Sequence, residues 1–168
     1  NIHINMYELL ICLSNALDLS SPKLATHHQR VAYLSFKIAQ HLKLSLEKQR
    51  DIFLAAIIHD IGALSTDERI DVMENRYDDL NHHAFNGAKL TENFIPLEEA
   101  SKIIKYHHVP WKHGEGRFHK GNEVHFNSHI INLADTICNL INSKQNILTQ
   151  RSKIIDIINS RKGKILVP

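Results

Sequence analysis

The sequence has few of the residues and patterns that define several protein classes. Its two cysteines, Cys12 and Cys138, lie far apart without Cys-x-x-Cys spacing, which argues against a disulfide framework or a thiolate zinc site. The longest uninterrupted apolar run, residues 52–58, is far shorter than the roughly 18 residues that cross a bilayer. Lysine plus arginine (20) nearly balance aspartate plus glutamate (18). Charge therefore indicates neither duplex nucleic acid nor an anionic membrane as a partner.

What remains is the composition of a soluble globular protein. Hydrophobic residues make up 43% and charged residues 23% of the chain, near the usual balance. A length of 168 residues suits one domain with a single core. No charged-then-apolar leader opens the sequence, and the unpaired cysteines suit a reducing compartment, so we expect a cytoplasmic location.

The hydrophobic pattern predicts an all-α fold. Apolar residues recur at three- and four-residue spacing almost throughout, and no stretch alternates long enough to indicate a strand. We predict a compact bundle of about seven to eight helices. The predicted helices cover residues 4–19, 22–42, 46–62, 66–76, 82–94, 96–106, 128–142 and 146–161, with caps at Ser45 and Ser65. Residues 109–127 are predicted to form a loop, and residues 162–168 a frayed tail or a cut linker.

Histidine is the one residue present in excess, with 13 copies. Several histidines stand near helix ends or on apolar faces, and two carboxylates, Asp60 and Asp135, stand among isoleucine, leucine and alanine. A single buried histidine is more often a hydrogen-bonded core residue than a ligand. Many buried titratable groups together favour a metal, because coordination stabilises neutral imidazole and ionised carboxylate. The pattern predicts a metal site at the centre of the bundle.

The pair His59 and Asp60 favours two ions over one. Adjacent residues of a helix point about 100° apart, so both side chains cannot reach one ion from the middle of a helix. A carboxylate can instead bridge two ions roughly 3.5 to 4 Å apart, an arrangement that clamps a phosphoryl group for in-line attack. The sequence therefore indicates a binuclear site.

Five short motifs resemble, in order, the ligand positions of the HD-GYP domain. This domain is a branch of the HD metal-dependent phosphohydrolase superfamily that hydrolyses cyclic di-GMP. The motifs are His27 with Arg30-Val31-Ala32, His59-Asp60-Ile61-Gly62, His83 with Gly87, His107-His108, and Leu133-Ala134-Asp135. The resemblance extends over about residues 17–150, and it implies an HD-GYP-like domain taken from a longer signalling protein.

The resemblance also implies particular ligands and metals. The implied ligand sets are His27, His59, Asp60 and Asp135 for one ion, and Asp60, His83, His107 and His108 for the other. His27 and His83 are preferred to their neighbours His28 and His82 because their spacing to the following arginine and glycine fits the family pattern. Asp60 would bridge the ions and would be the catalytic residue. Iron or manganese is favoured, although imidazole and carboxylate ligands suit other divalent transition metals as well.

The sequence departs from the family pattern in several places. Lys23 stands where many members have glutamate, which argues against a third metal. Ala63 replaces a lysine expected near the substrate phosphate, and the Gly-Tyr-Pro signature is absent from residues 109–117. Lys144, nine residues after Asp135, stands about where the family has a phosphate-contacting arginine. We therefore predict it as a substrate-binding residue, but an ordinary solvated lysine fits the sequence equally well.

The function implied by the resemblance is hydrolysis of a cyclic dinucleotide, with cyclic di-GMP as the first candidate, by a metal-bridging hydroxide. Two alternatives stay open, because a fold alone does not determine function. One is a catalytically weak, metal-containing signalling module or cyclic-dinucleotide receptor. The other is a phosphohydrolase acting on another nucleotide. The resemblance further implies a bacterial cytoplasmic protein with a sensor or receiver domain in the same chain, and a homodimer is compatible with it.

Overall fold

The computed structural model describes residues 5–19, 24–73 and 81–168. Within these ranges the chain forms eight α-helices and one small hairpin, which confirms the predicted all-α class. The helices are α1 (Met6–Asp18), α2 (His27–His41), α3 (Leu46–Ile57), α4 (Thr66–Met73), α5 (Asn81–Thr91), α6 (Glu98–Ile104), α7 (Phe126–Leu140) and α8 (Ile147–Arg161). Short 3-10 helices cover Ile95–Leu97 and Lys112–Arg117, and the antiparallel hairpin pairs β1 (Phe118–His119) with β2 (Asn122–Glu123).

Helix α2 lies at the centre of the core. It packs against α3 and α7, and α3 packs in turn against α6. The side chains at these contacts, among them Val31, Ile57, Ile104 and Ile131, are at most 1% exposed. Burying a large aliphatic side chain contributes about 1.5 to 3 kcal/mol. These four helices therefore form a well-packed frame, and the polar groups on their inner ends are held in place by it.

Two predicted helix caps are confirmed. The Ser45 hydroxyl accepts a hydrogen bond from the Lys48 N–H at 3.3 Å, at the start of α3. The Ser65 hydroxyl accepts one from the Glu68 N–H at 3.1 Å, before α4. A cap of this kind is worth about 1 kcal/mol because it satisfies an N–H group that the helix leaves unpaired.

Several predicted helix boundaries are wrong. Residues 24–26 form a turn, so α2 begins at His27. The predicted start of this helix at Pro22 and the predicted end of α4 at Arg76 lie outside the described residues. Helix α3 ends at Ile57 and does not reach Gly62. Helix α5 ends at Thr91 and does not reach residue 94. In its last turn the Thr91 hydroxyl donates to the backbone carbonyls of Gly87 and Ala88. Such side-chain bonds compete with the helical ladder.

The predicted loop and tail are also more ordered than the sequence pattern suggested. Residues 109–127 contain a 3-10 helix and the hairpin. The backbone N–H groups of residues 111–113 donate to the carbonyls of residues 165, 164 and 163, at 3.0, 2.6 and 2.7 Å. Leu166 is 1% exposed. The C-terminal segment therefore holds the loop after His108 in place, through contacts that no local pattern reveals.

None of the helices in the described part of the chain is both long enough and apolar enough to cross a membrane.

We expect Leu166→Ala to lower the free energy of unfolding by about 2 kcal/mol or more, because truncating a buried leucine leaves a cavity. The neighbouring Ile165 is 46% exposed, so Ile165→Ala should change it by no more than about 0.5 kcal/mol. Urea unfolding followed by circular dichroism measures both values. Equal effects of the two substitutions would contradict the docking of the C-terminal segment.

Candidate metal centre

The structure brings all seven predicted ligands into one buried cluster. They come from the start of α2, the turn after α3, the first part of α5, the turn after α6 and the middle of α7. Together with His28, they form overlapping groups whose ligand atoms lie within 4.8 Å of one another: His27, His59 and Asp135; Asp60, His83, His107 and His108; and His28, His59 and Asp60. All of these residues are buried except His108, which is partly exposed. Their role as ligands stays a prediction.

The first group surrounds the carboxylate of Asp135. Its Oδ1 lies 3.3 Å from His27 Nε2 and 3.9 Å from His59 Nε2. Asn139, one helical turn further along α7, donates its side-chain N–H to the same oxygen at 3.1 Å. Asn139 is not among the residues predicted from the sequence, although its four-residue spacing from Asp135 is the signal that would have identified it.

The second group surrounds Asp60 Oδ1. His83 Nε2 lies 3.1 Å and His107 Nε2 lies 3.6 Å from this oxygen. His108 Nε2 lies 3.1 Å from His83 Nε2. Two nitrogens bound about 2.1 Å from one ion at right angles are separated by about 3 Å. The His83–His108 separation therefore fits two imidazoles that share an ion.

Asp60 stands between the two groups. Its Oδ2 lies 3.1 Å from His59 Nε2, whereas its Oδ1 faces His83 and His107. The two oxygens of one carboxylate thus face different sets of imidazoles. This is the arrangement expected of a bridging ligand, and it supports the predicted role of Asp60.

The early end of α3 explains how His59 and Asp60 reach the same cluster. Ile58 has φ −129°, outside the helical range, so the two residues lie in a turn and the 100° separation of a helix does not apply. The His59 Nδ1–H donates to the Ala56 carbonyl at 2.9 Å, which leaves Nε2 to face the cluster. His107 repeats this pattern, with Nδ1 bonded to the Ile104 carbonyl at 2.7 Å.

A glycine contact sets the distance between Asp60 and His83. A Cβ added at Gly62 would lie 2.0 Å from the His83 carbonyl oxygen and 2.2 Å from the Gly87 nitrogen. The turn after α3 and the backbone of α5 therefore approach more closely than any side chain permits. The helix predicted over residues 46–62 would end at Gly62, whereas in the structure α3 ends at Ile57 and Gly62 permits this close packing.

The surrounding imidazoles keep both buried carboxylates ionised. Burial raises the pKa of a carboxyl group, but at Asp60 the charge of His59 and the contacts with neighbouring imidazoles outweigh it and hold the pKa well below its usual range. Burial likewise raises the pKa of Asp135, but the contact with His27 and the charges of His27 and His59 outweigh this effect and lower the pKa to about 2. Two negative charges therefore lie in a space from which water is largely excluded.

These negative charges attract one compensating positive charge. Burial lowers the pKa of His59, but the charges of Asp60 and Asp135 outweigh it and raise the pKa to about 9. Burial and neighbouring imidazoles instead lower the pKa of His107 and hold that of His108 well below its usual range. Neutral imidazoles keep a free lone pair, so the cluster combines anionic and neutral donors of the kind that divalent metals require.

The hydrogen bonding of the buried polar atoms shows whether the cluster suits a metal. Several buried polar atoms make no hydrogen bond within the described residues, and they include Nε2 of His27, His28, His59 and His107 and Oδ1 of Asp60. Leaving a buried polar atom unpaired costs about 1 to 3 kcal/mol. Cations at this position would satisfy these atoms together, so the residues present fit a metal centre.

The remaining residues singled out in the sequence have varied positions. His82 is exposed, in agreement with the preference for His83, whereas His28 is buried and belongs to the cluster. Lys144 is exposed in the turn after α7, with its N–H bonded to Asn142 Oδ1 at 3.0 Å, and its contact with substrate stays a prediction. Lys23 lies outside the described residues.

Comparisons with known proteins agree with this geometry. A model of the HD domain family matches residues 11–165. A 3'3'-cGAMP-specific phosphodiesterase 1 from Vibrio cholerae serotype O1 is 30% identical over 110 residues, which is 65% of this chain and 26% of that protein. The matched region therefore spans about a quarter of the length of this curated relative.

We expect Gly62→Ala to destabilise the protein by about 2 kcal/mol, in the range of overpacking, and to weaken metal binding, because the added methyl group pushes His83 away from Asp60. Gly121→Ala is the control, since Gly121 has φ 81° and no atom within 4 Å of an added Cβ. It should cost about 1 kcal/mol of backbone strain and leave metal content unchanged. Elemental analysis and urea unfolding of both variants measure these effects. Full metal content in Gly62→Ala would contradict the positioning role.

Proposed function

Because the chain belongs to the HD domain family, we propose that it is a metal-dependent phosphodiesterase that hydrolyses a cyclic dinucleotide. The observation that carries this proposal is the position of Asp60, whose Oδ2 faces His59 and whose Oδ1 faces His83 and His107. A carboxylate placed between two sets of imidazoles suits two divalent ions. Paired ions of this kind are typical of sites that act on phosphate esters.

The relative supports the choice of substrate class. It is named as specific for 3'3'-cGAMP, whereas the motif resemblance favours cyclic di-GMP. Both molecules are rings of two nucleotides closed by phosphodiester bonds, so the reaction at phosphorus is the same. We propose a cyclic dinucleotide as the substrate, with these two molecules as the first candidates.

The residues of the chain have distinct roles in this mechanism. His27, His59, Asp60 and Asp135 would hold one ion, and Asp60, His83, His107 and His108 the other. When bound, the ions supply Lewis-acid charge at the phosphate and activate water for in-line attack. The backbone carbonyls of Ala56 and Ile104 orient His59 and His107 by accepting their Nδ1–H groups. His108, the partly exposed member of the cluster, marks the side from which substrate and water would enter.

The donor set also bears on the metal. Imidazole nitrogens and carboxylate oxygens suit iron and manganese, which we propose first, while zinc, cobalt and nickel accept the same donors. The cluster has no cysteine among its members. Affinity order alone does not select a metal in a cell, and elemental analysis of the purified protein identifies the ions that it binds.

We further propose that residues 1–168 form one HD-GYP-like domain of a longer signalling protein. The relative supports this proposal, because the matched region is 26% of its length. A sensor or receiver domain in the same chain would then control the activity, and two copies of the chain could associate.

A metal-containing receptor with weak turnover is the second candidate. Ala63 is fully buried at the position where the family motif carries a lysine near the substrate phosphate. This position therefore supplies no cation to a phosphate group. Slow hydrolysis with intact binding of a cyclic dinucleotide would favour the receptor.

We expect Asp60→Ala to lose the shared ligand of both ions, and so to reduce bound metal and to lower phosphodiesterase activity by more than about 100-fold. Asp51→Ala is a matched control, because Asp51 is also buried but is paired with Arg50 at 2.9 Å and is outside the cluster. It should retain metal and activity. Elemental analysis and chromatography of the reaction products measure both. Full metal content and an undiminished rate in Asp60→Ala would refute the bridging role.

We expect protein reconstituted with Fe(II) or Mn(II) to convert cyclic di-GMP or 3'3'-cGAMP into a linear dinucleotide, and chelated protein to be inactive. Product analysis by mass spectrometry with both substrates checks this. Binding of a cyclic dinucleotide without turnover under either metal would favour the receptor. Absence of both binding and turnover would point to a different nucleotide.

A further inference from the structure

His28 has a position in the cluster that the sequence motifs did not indicate. It follows the predicted ligand His27 in the first turn of α2, and its side chain is fully buried. Its ring centroid lies 5.2 Å from that of His59 and 5.4 Å from that of His27. Its Nε2 makes no hydrogen bond within the described residues. A buried nitrogen lone pair beside proposed ligands calls for a partner.

Asp18 determines which nitrogen of His28 carries the proton. Asp18 is the last residue of α1 and is 4% exposed. Its Oδ1 lies 2.5 Å from His28 Nδ1, so the Nδ1–H donates to the carboxylate and Nε2 keeps its lone pair. His59 and His107 have the same arrangement, with a backbone carbonyl as the acceptor. Histidine ligands of metals are typically oriented by such an acceptor on the other nitrogen.

The overlap of two donor groups shows which ion His28 would bind. His28 is grouped with His59 and Asp60, while His27 and Asp135 are grouped with the same His59. The Nδ1 of His59 is bonded to Ala56, so His59 has only Nε2 to offer. One imidazole lone pair binds one ion. If both groups bind metal, the shared His59 therefore assigns them to the same ion.

We propose that His28 is a further ligand of the ion held by His27, His59, Asp60 and Asp135, and that Asp18 is its positioning residue. This inference rests on the proposed function, because it assumes that the cluster binds metal. Five protein donors exceed the four of a tetrahedral zinc site. The first site would then favour ions that accept five or six ligands, such as iron and manganese.

The alternative is a purely structural hydrogen bond that ties α1 to α2. The substitution His28→Asn separates the two roles, because the asparagine Nδ2–H can replace His28 Nδ1–H as the donor to Asp18 but offers no nitrogen at the position of Nε2. His28→Ala removes both roles. His82→Ala is the matched control, since His82 also precedes a proposed ligand but is exposed.

The test is a titration of the chelated full chain with Mn(II) alone, followed by calorimetry, together with elemental analysis and thermal unfolding of the metal-free and loaded protein. We expect the wild type and His82→Ala to bind two ions. In His28→Asn one site should weaken by at least about tenfold while the other is kept. The thermal shift caused by Mn(II) should shrink in His28→Asn, although its metal-free form unfolds near the wild-type temperature. Asp18→Asn should weaken the same site.

Each other outcome has a defined meaning. Two ions bound with wild-type affinity by both His28→Asn and His28→Ala would overturn the inference and leave the proposed function intact, with His28 as a structural residue. Loss of both sites in His28→Asn, with folding unchanged, would also overturn the assignment to one ion. No metal in the wild type would contradict the proposed function itself.

Discussion

Two ionised carboxylates enclosed by imidazoles are the constraint on which the arrangement of this protein depends. Asp60 and Asp135 are at most 9% exposed, so their charges cannot be balanced by water. The charges of Asp60 and Asp135 raise the pKa of His59 to about 9, so a proton on His59 balances part of their negative charge. A divalent cation would provide the same compensation and would also satisfy the unpaired nitrogens. The interior is therefore organised around positive charge rather than around apolar contact alone.

The apolar frame supports this site by limiting how the helices can approach. The Gly62–Gly87 contact brings α5 against the turn after α3. Two side chains of α7 also bond to the end of α6 and the turn that follows: Ser128 donates to the Ile103 carbonyl and Asn132 to the His107 carbonyl, both at 2.7 Å. These bonds hold α7, which carries Asp135, against the turn that carries His107. Backbone packing thus determines separations that the ligand side chains alone could not hold.

Proposed chemistry and proposed metal selection follow from the same donors. Asp60 addresses both sets of imidazoles, which supports paired ions and action on a phosphodiester. If His28 adds a donor on one side only, the two ions would differ in coordination number, and the ion beside His108 would keep more positions open for substrate oxygens. The relative that matches 110 residues of the chain is named as a 3'3'-cGAMP-specific phosphodiesterase, and the matched region is 26% of its length.

The sequence by itself determined the helical class and the caps at Ser45 and Ser65, because periodicity and capping are local properties of the chain. The seven predicted ligands followed from the resemblance of short motifs to a known family. Only the tertiary structure decided that α3 ends at Ile57, that residues 162–168 pack against the loop, and that His28 faces the cluster beside His27. Each of these depends on a partner distant in sequence, such as Asp18 for His28. No local pattern encodes such a partner, because the contact exists only after the helices have packed.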